Sequence, residues 1–267
     1  TKLEALGRLV GEALHPSIRD VLVAHASSPL VLIHDAAASV LPWETMSLPG
    51  PKGRWIQPGL EGGLHRHFAT EGLAAARWRK RAEAGAGLRV LLIANPTDDL
   101  PGAGREADEV VKRLRAEVPG VEITELRGAR ARRLAVLAEL RKGAHDVLHY
   151  AGHAFFDAEN RGRSGLICAG GEVLTGRDIQ TLSTLPALVV LNACESARIR
   201  GKRGAPRFAV ENARVLKPVE LTSLAEAFLR AGVANYIGTY WPVGDTAAAD
   251  FARAVYSGLT TGQTLGT

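Results

Sequence analysis

His153 and Cys194 each stand where an apolar run of the sequence breaks off, in DVLHYAGH (146–153) and in ALVVLNAC (187–194). Short continuous apolar runs bounded by Gly, Asn or Asp suit strands buried on both faces of a parallel sheet. Open α/β sheets place their chemistry at the carboxyl ends of such strands. If the two strands are neighbours, both side chains project into one crevice. There an imidazole serves two needs of acyl transfer, raising the thiolate fraction and protonating the leaving amine. Taken alone, Cys194 reads as a small buried core residue, the usual fate of a free cysteine. Two strand ends of complementary chemistry bring the nucleophile reading forward, and both readings stand at this level.

A metal reading of the same histidines starts from His145, His149 and His153, which recur every four residues. A zincin pattern needs a helix and a Glu next to its first His. Here Tyr150 holds that position, the run is strand-like, and Gly152 weakens any helix. No carboxylate follows Asp146 within the run. No metal or other cofactor is therefore expected, and His149 reads as a satisfied strand histidine. Gly102, Gly104 and Ala107 match the spacing of a dinucleotide fingerprint. In a true fingerprint the glycines follow the strand at once, so that the helix N-terminus faces the pyrophosphate. Here PTDDLP intervenes and its carboxylates repel phosphate, so a Pro/Gly turn before an ordinary helix is expected. The cluster RWRKR (77–81) places Trp78 among basic residues. It reads as a solvated helix face with the aromatic turned inward, not as a nucleic-acid contact.

The elements that position these residues alternate. Strands are expected at PLVLIHD (29–35), LRVLLIAN (88–95), DVLHYAGH, ALVVLNAC and ANYIGTYW (234–241). Amphipathic helices lie between them. Ala107, Val110, Val111, Leu114 and Val118 share one face, as do Leu224, Ala227, Phe228 and Ala231, with Gly232 as a stop signal. The segment TAAADFARAVYSG repeats the theme. Alternation of this kind implies right-handed βαβ crossovers, hence an α/β fold whose mostly parallel sheet carries helices on both faces. Residues 1–85 are less regular, with a helical lead-in, a strand pair around LVLIHDAAASVLPWETM and an Arg-rich helical pattern. The Gly/Ala stretch at 84–87 is the expected boundary with a core over 86–267. Residues 198–220 are polar, basic and without period, which reads as a long mobile loop, of the kind that is either functional or disordered.

Composition sets the outer bounds. The 267 residues suffice for one large α/β domain or two small ones. The 46% hydrophobic and 5% aromatic content predicts an aliphatic core. A net charge of +5 and a pI of about 9.5 permit acidic partners without establishing nucleic-acid binding. Two cysteines exclude a disulfide framework and Cys-rich zinc modules, and fit a reducing, cytoplasmic compartment. No apolar run reaches the length of a membrane span and no signal peptide is visible. A chain starting at Thr1 and ending in GLTTGQTLGT reads as a fragment of a longer protein or a processed one.

Three blocks, HYAGHAFFDAENRGRSGLICAGGEVLTGRDI, LVVLNACES and SLAEAFLRAGVANYIGTYWPVGD, resemble in this order the CHAT family of bacterial caspase-like cysteine peptidases, with similarity to separases as well. VLPWETM and LLIANPTDDLPGAGREADEV resemble that family's amino-terminal blocks, so the likeness runs from about residue 29 to the end. The resemblance implies a caspase-type fold and a His153/Cys194 dyad in a cysteine endopeptidase acting on a protein substrate. Tetratricopeptide repeats often accompany the family, so an upstream repeat domain or regulatory protein is an expected partner, and 198–220 a segment that would contact it or order on activation.

Two departures from the family pattern matter. Ala154 replaces the usual Gly after the histidine, at a position whose backbone N–H is expected to form the oxyanion hole with that of Cys194. Alanine keeps the N–H, so the hole survives unless the position needs a positive φ. Asn192 replaces the usual Ser two residues before the cysteine, where a polar side chain would line the specificity pocket. The likeness to separases implies that Asp245 of WPVGD selects Arg or Lys before the scissile bond through a charge-assisted pair, with Trp241 as a flat wall. Asp245 is read equally well as a helix N-cap. The rival to the peptidase reading is an inactive module that keeps the fold and binds a partner, for which Ala154 is the sequence support.

Overall fold

The computed structural model describes residues 2–34, 38, 41–68, 87–155, 165–193, 224–225, 227–229, 231–238 and 244–261. Chain contacts divide it into two compact units, residues 1–69 with 261–267 and residues 70–260. The expected boundary at 84–87 and the RWRKR cluster fall on positions outside the described residues, Gly87 apart, as does the segment 198–220.

In the first unit α1 (Lys2–Glu12) and α2 (Pro16–Ala24) precede β1 (Leu30–His34). β2 (Leu48–Pro49) pairs antiparallel with β3 (Trp55–Ile56), and after α3 (Pro58–Glu61) the strand β4 (Leu64–Phe68) pairs parallel with β1. Around LVLIHDAAASVLPWETM, where a strand pair is expected, the described residues hold β1, whose partner comes from 64–68. Pro42 turns the chain instead, and Trp43–Thr45 forms a 3-10 turn. The Trp43 indole N–H donates to the Ala38 carbonyl at 2.8 Å and the Thr45 hydroxyl to the Pro42 carbonyl at 2.7 Å. Val10, Trp43, Met46 and Leu48 form the small core. α1 approaches so closely that a Cβ on Gly7 would meet the Thr45 carbonyl oxygen at 2.1 Å.

The second unit holds the site. β5 (Arg89–Ala94), α4 (Pro101–Glu117), β6 (Glu122–Arg127), α5 (Arg133–Arg141) and β7 (Val147–Ala151) follow in strict alternation. β8 (Ala154–Phe155), β9 (Gly165–Ile167) and β10 (Val173–Thr175) form a small antiparallel sheet. Then come α6 (Gly176–Gln180), β11 (Leu188–Asn192), β12 (Asn235–Gly238) and α7 (Asp245–Thr260). The main sheet has the order β12-β11-β7-β5-β6 and all its pairs are parallel. This is the fold class the apolar runs predict.

Strand β7 is buried at every residue because both faces of the sheet are covered. Leu91, Ile93, Leu148, Tyr150, Val189 and Leu191 pack on one face against α5, α6 and the helical segment carrying Leu224 and Phe228. His149 turns to the other face, where it meets Glu106 of α4 and Tyr256 of α7. α4 buries Ala107, Val110, Val111 and Leu114 as its period demands, and α7 buries Ala248, Ala252 and Tyr256. α4 begins earlier than a Pro/Gly turn would allow. Pro101 opens it and Gly102 and Gly104 lie inside its first turn, since a proline there is pre-set for helix and has no N–H to lose. Among the described residues no helix is long and apolar enough to cross a membrane.

The helices α5 and α6 are joined by a bidentate pair. The Arg133 guanidinium donates to Asp178 at 3.1 and 2.6 Å, and Asp178 also accepts from the Thr175 amide and hydroxyl, each at 2.9 Å, closing a capping box. Burial opposes ionisation of Asp178, but the Arg133 and Thr175 hydrogen bonds outweigh it and hold the carboxyl below its usual range. A folded-state pKa below the unfolded one gives stability that is present at neutral pH and lost on acidification. Asp178→Asn is therefore expected to cost about 1–2 kcal/mol at pH 7. In thermal melts the deficit should narrow as pH falls below the ordinary carboxylate range, and a deficit that is constant with pH would remove the electrostatic account.

Candidate active site

The carboxyl ends of β5, β7 and β11 lie in one row, with Ala94 opposite Ala151 and Ala151 opposite Asn192. Two backbone hydrogen bonds extend the row beyond the strands. The Asn95 amide donates to the Ala151 carbonyl at 2.8 Å and the Gly152 amide to the Asn192 carbonyl at 3.0 Å. His153 follows directly and is 5% exposed. β7 and β11 are thus sheet neighbours, the condition for a shared crevice.

Tyr150 fixes the backbone at His153. Its side chain is fully buried, and its hydroxyl lies 2.5 Å from the His153 carbonyl and 2.8 Å from that of Ile167, so one proton serves two acceptors. Burial and the nearby Cys168 and Asp99 push its pKa well up, keeping it a donor. The Ile167 amide returns a bond to the His153 carbonyl at 2.9 Å. Gly152 threads the remaining gap, where a Cβ would stand 2.7 Å from the Tyr150 hydroxyl and 3.0 Å from Pro96.

A third group that the strand patterns did not reveal meets the imidazole. Asp99 holds His153 Nε2 at 3.1 and 3.2 Å from its two carboxylate oxygens. Its own side chain is 54% exposed, at the rim of the site. Nδ1 of His153 is buried and has no partner among the described residues. The loop that carries Asp99 is tightly made. Asn95 and Asp98 adopt positive φ of 45° and 60°, a region their short polar side chains tolerate better than most. Asn95 Oδ1 accepts from the Leu100 amide at 2.9 Å, and the Asp98 amide bonds the Asn95 carbonyl at 3.1 Å. The signal lay in PTDDL, the segment whose acidic character argued against phosphate.

Ala154 opens β8, opposite Leu166, and is not among the positive-φ residues. The adjacent 153·167 pair is hydrogen-bonded, so ladder alternation turns the Ala154 N–H away from β9. Asn192 directs its amide into the protein, donating to Glu106 Oε2 at 2.6 Å. Asp245 is the first residue of α7, and the first helical bond, from Ala248 at 3.0 Å, goes to the Gly244 carbonyl. The capping position is therefore that of Gly244, one residue earlier than an Asp245 cap requires. Cys194 and Trp241 lie outside the described residues.

The second cysteine is placed against reactivity. Cys168 is 1% exposed, and burial pushes its thiol up to about 12. A thiol of that kind carries almost no thiolate at neutral pH. In Cys194→Ser protein, iodoacetamide at pH 8 should leave Cys168 unmodified until denaturant is added; native labelling of Cys168, read by mass spectrometry, would refute its assigned burial. Gly152→Ala should destabilise the fold by about 1–3 kcal/mol through overpacking against Tyr150 and Pro96. A denaturation midpoint equal to that of the unsubstituted protein would show that Tyr150 and Pro96 yield to a methyl group without cost.

Among curated proteins no match is found. The family model of the CHAT domain matches residues 3–266. With that span and a parallel sheet of caspase-like form, the chain belongs to the CHAT domain family, which is related to the caspase-like cysteine peptidases.

Proposed function

We propose that the chain is a cysteine endopeptidase that hydrolyses peptide bonds of a protein substrate, with Cys194 as nucleophile and His153 as its acid–base partner. The observation that carries the reading is the pairing of β7 with β11, in which Ala151 stands opposite Asn192. His153 and Cys194 each follow two residues later along the sequence. Cys168 offers no competing nucleophile, since it is buried and its thiol is held protonated.

In this mechanism Asp99 engages Nε2 and leaves Nδ1 of His153 for the reaction. Nδ1 takes the proton of the Cys194 thiol, and sulfur attacks the scissile carbonyl carbon. The negative charge on oxygen is held by the backbone N–H groups of Ala154 and Cys194, an oxyanion-hole arrangement. The tetrahedral species collapses, the C–N bond breaks, and the amine leaves with the proton from His153. A water molecule then gives its proton to His153 and hydrolyses the thioester, returning the thiol. Asp99 keeps the ring oriented throughout, the part a carboxylate plays behind a catalytic imidazole.

Preference for Arg or Lys before the scissile bond is a finer element of the proposal and rests on Asp245, with Trp241 as a wall. An acidic residue in the first turn of α7 also suits the helix dipole, so its charge has a use in either case. An upstream repeat domain that contacts residues 198–220 completes the proposal on the side of partners.

An electrophilic peptide probe should label the protein at Cys194, and Cys194→Ala should abolish labelling; labelling that persists in that variant sinks the assignment. Asp99→Ala should lower kcat by about 10²-fold through loss of ring orientation, with KM little changed. A kcat unaffected by that substitution removes Asp99 from the mechanism. Profiling with a peptide library tests specificity, since cleavage after Asp or Leu, or a preference unmoved in Asp245→Ala, excludes the basic-residue pocket.

A further inference from the structure

One carboxylate of the fold is almost fully buried and takes no part in the mechanism above. Glu106 of α4 is 2% exposed and lies beneath the carboxyl ends of β7 and β11. Its Oε2 accepts from the Asn192 amide at 2.6 Å. Its Oε1 stands 3.1 Å from His149 Nε2, out of hydrogen-bond alignment. His149, with no exposed surface, meets the Tyr256 hydroxyl through Nδ1 at 3.2 Å. Burial and the charge of Glu106 drive the Tyr256 pKa far up, so its hydroxyl stays protonated beside Nδ1. A polar chain therefore runs from α7 through β7 and α4 to the end of β11.

A buried carboxylate is costly to keep unless its partners need it. The partner with most to gain is Asn192. Its backbone carbonyl accepts from Gly152, the residue before His153, while its side chain is held by Glu106. Cys194 follows two residues on. One residue thus ties the backbone ahead of the nucleophile to the backbone ahead of the histidine, and the carboxylate underneath sets its rotamer.

We infer that Glu106 is a positioning residue, which through Asn192 holds the end of β11 in register with the His153 loop. The inference rests on the dyad reading given above. A misplacement of about 1 Å at reacting atoms is enough to cost two orders of magnitude in rate, so the effect falls on kcat and on the reactivity of the thiol, with KM largely kept.

The test is a reciprocal exchange. Asn192→Asp sets a second carboxylate against Glu106 and should slow both peptide turnover and alkylation of Cys194 by iodoacetamide by about tenfold or more, the scale of coupled buried pairs. Adding Glu106→Gln restores one donor and one acceptor between the positions, and keeps an oxygen for His149. The double variant should recover most of both rates, with Glu106→Gln alone falling between. All rates are read well below the melting temperature of each variant, so that loss of fold and loss of register separate. A double variant no better than the worse single variant, or one that also fails to fold, overturns the inference, as does Asn192→Asp protein that reacts like the unsubstituted chain. Coupling in alkylation rate without any peptide turnover would support the positioning role while the endopeptidase reading fails. Turnover in the unsubstituted chain with no coupling would do the reverse.

Discussion

The register between β7 and β11 is the constraint from which the rest of the site follows. A shift of one residue in either strand would turn each side chain to the opposite face of the sheet. Tyr150 would then leave the carbonyls it bridges, and His149 would lose Glu106 and Tyr256 together. The apolar sequence of the two strands alone resists such a slip weakly, because a strand buried on both faces is apolar in either setting. The polar residues supply what the apolar ones cannot. Tyr150 is compatible with one face only, where its hydroxyl finds acceptors, and His149 with the other.

The same argument explains why the loop after β5 is built with so many internal bonds. It must reach across the end of β7 and deliver a carboxylate to the imidazole, within the short span between Ala94 and the start of α4. Two non-glycine residues at positive φ cost some backbone energy, and the bonds from Asn95 to Leu100, Ala151 and Asp98 offset it. Rigid scaffold and tight loop together locate Asp99 even though its side chain is half in water.

Much of the fold was legible in the sequence, for reasons that can be named. The central strands read as continuous apolar runs, and α4 shows the helical period at Ala107, Val110, Val111 and Leu114, all of which are buried. His153 could be picked out because a histidine ends such a run. Asp99 and Glu106 could not. Asp99 sits in a stretch whose acidic residues look like ordinary loop solvation. Glu106 lies on the periodic face of α4, one residue before Ala107, where a carboxylate reads as solvent-facing until Asn192 and His149 are seen beside it. Partnership across distant strands leaves no mark on local sequence. The pairing of β1 with residues 64–68 was illegible for a related reason, since the two strands lie 34 positions apart in the sequence.

Tyr256 and His149 are separated by 107 residues of chain and Asn192 and Glu106 by 86. During synthesis the strands that carry the proposed dyad leave the ribosome well before α7 does. Until α7 is made, His149 has no hydroxyl at Nδ1, and the face of β7 that carries His149 lacks the cover that Tyr256 gives it. The polar chain under the site is therefore complete only when α7 has emerged, which makes α7 the element that finishes it in time as well as in sequence.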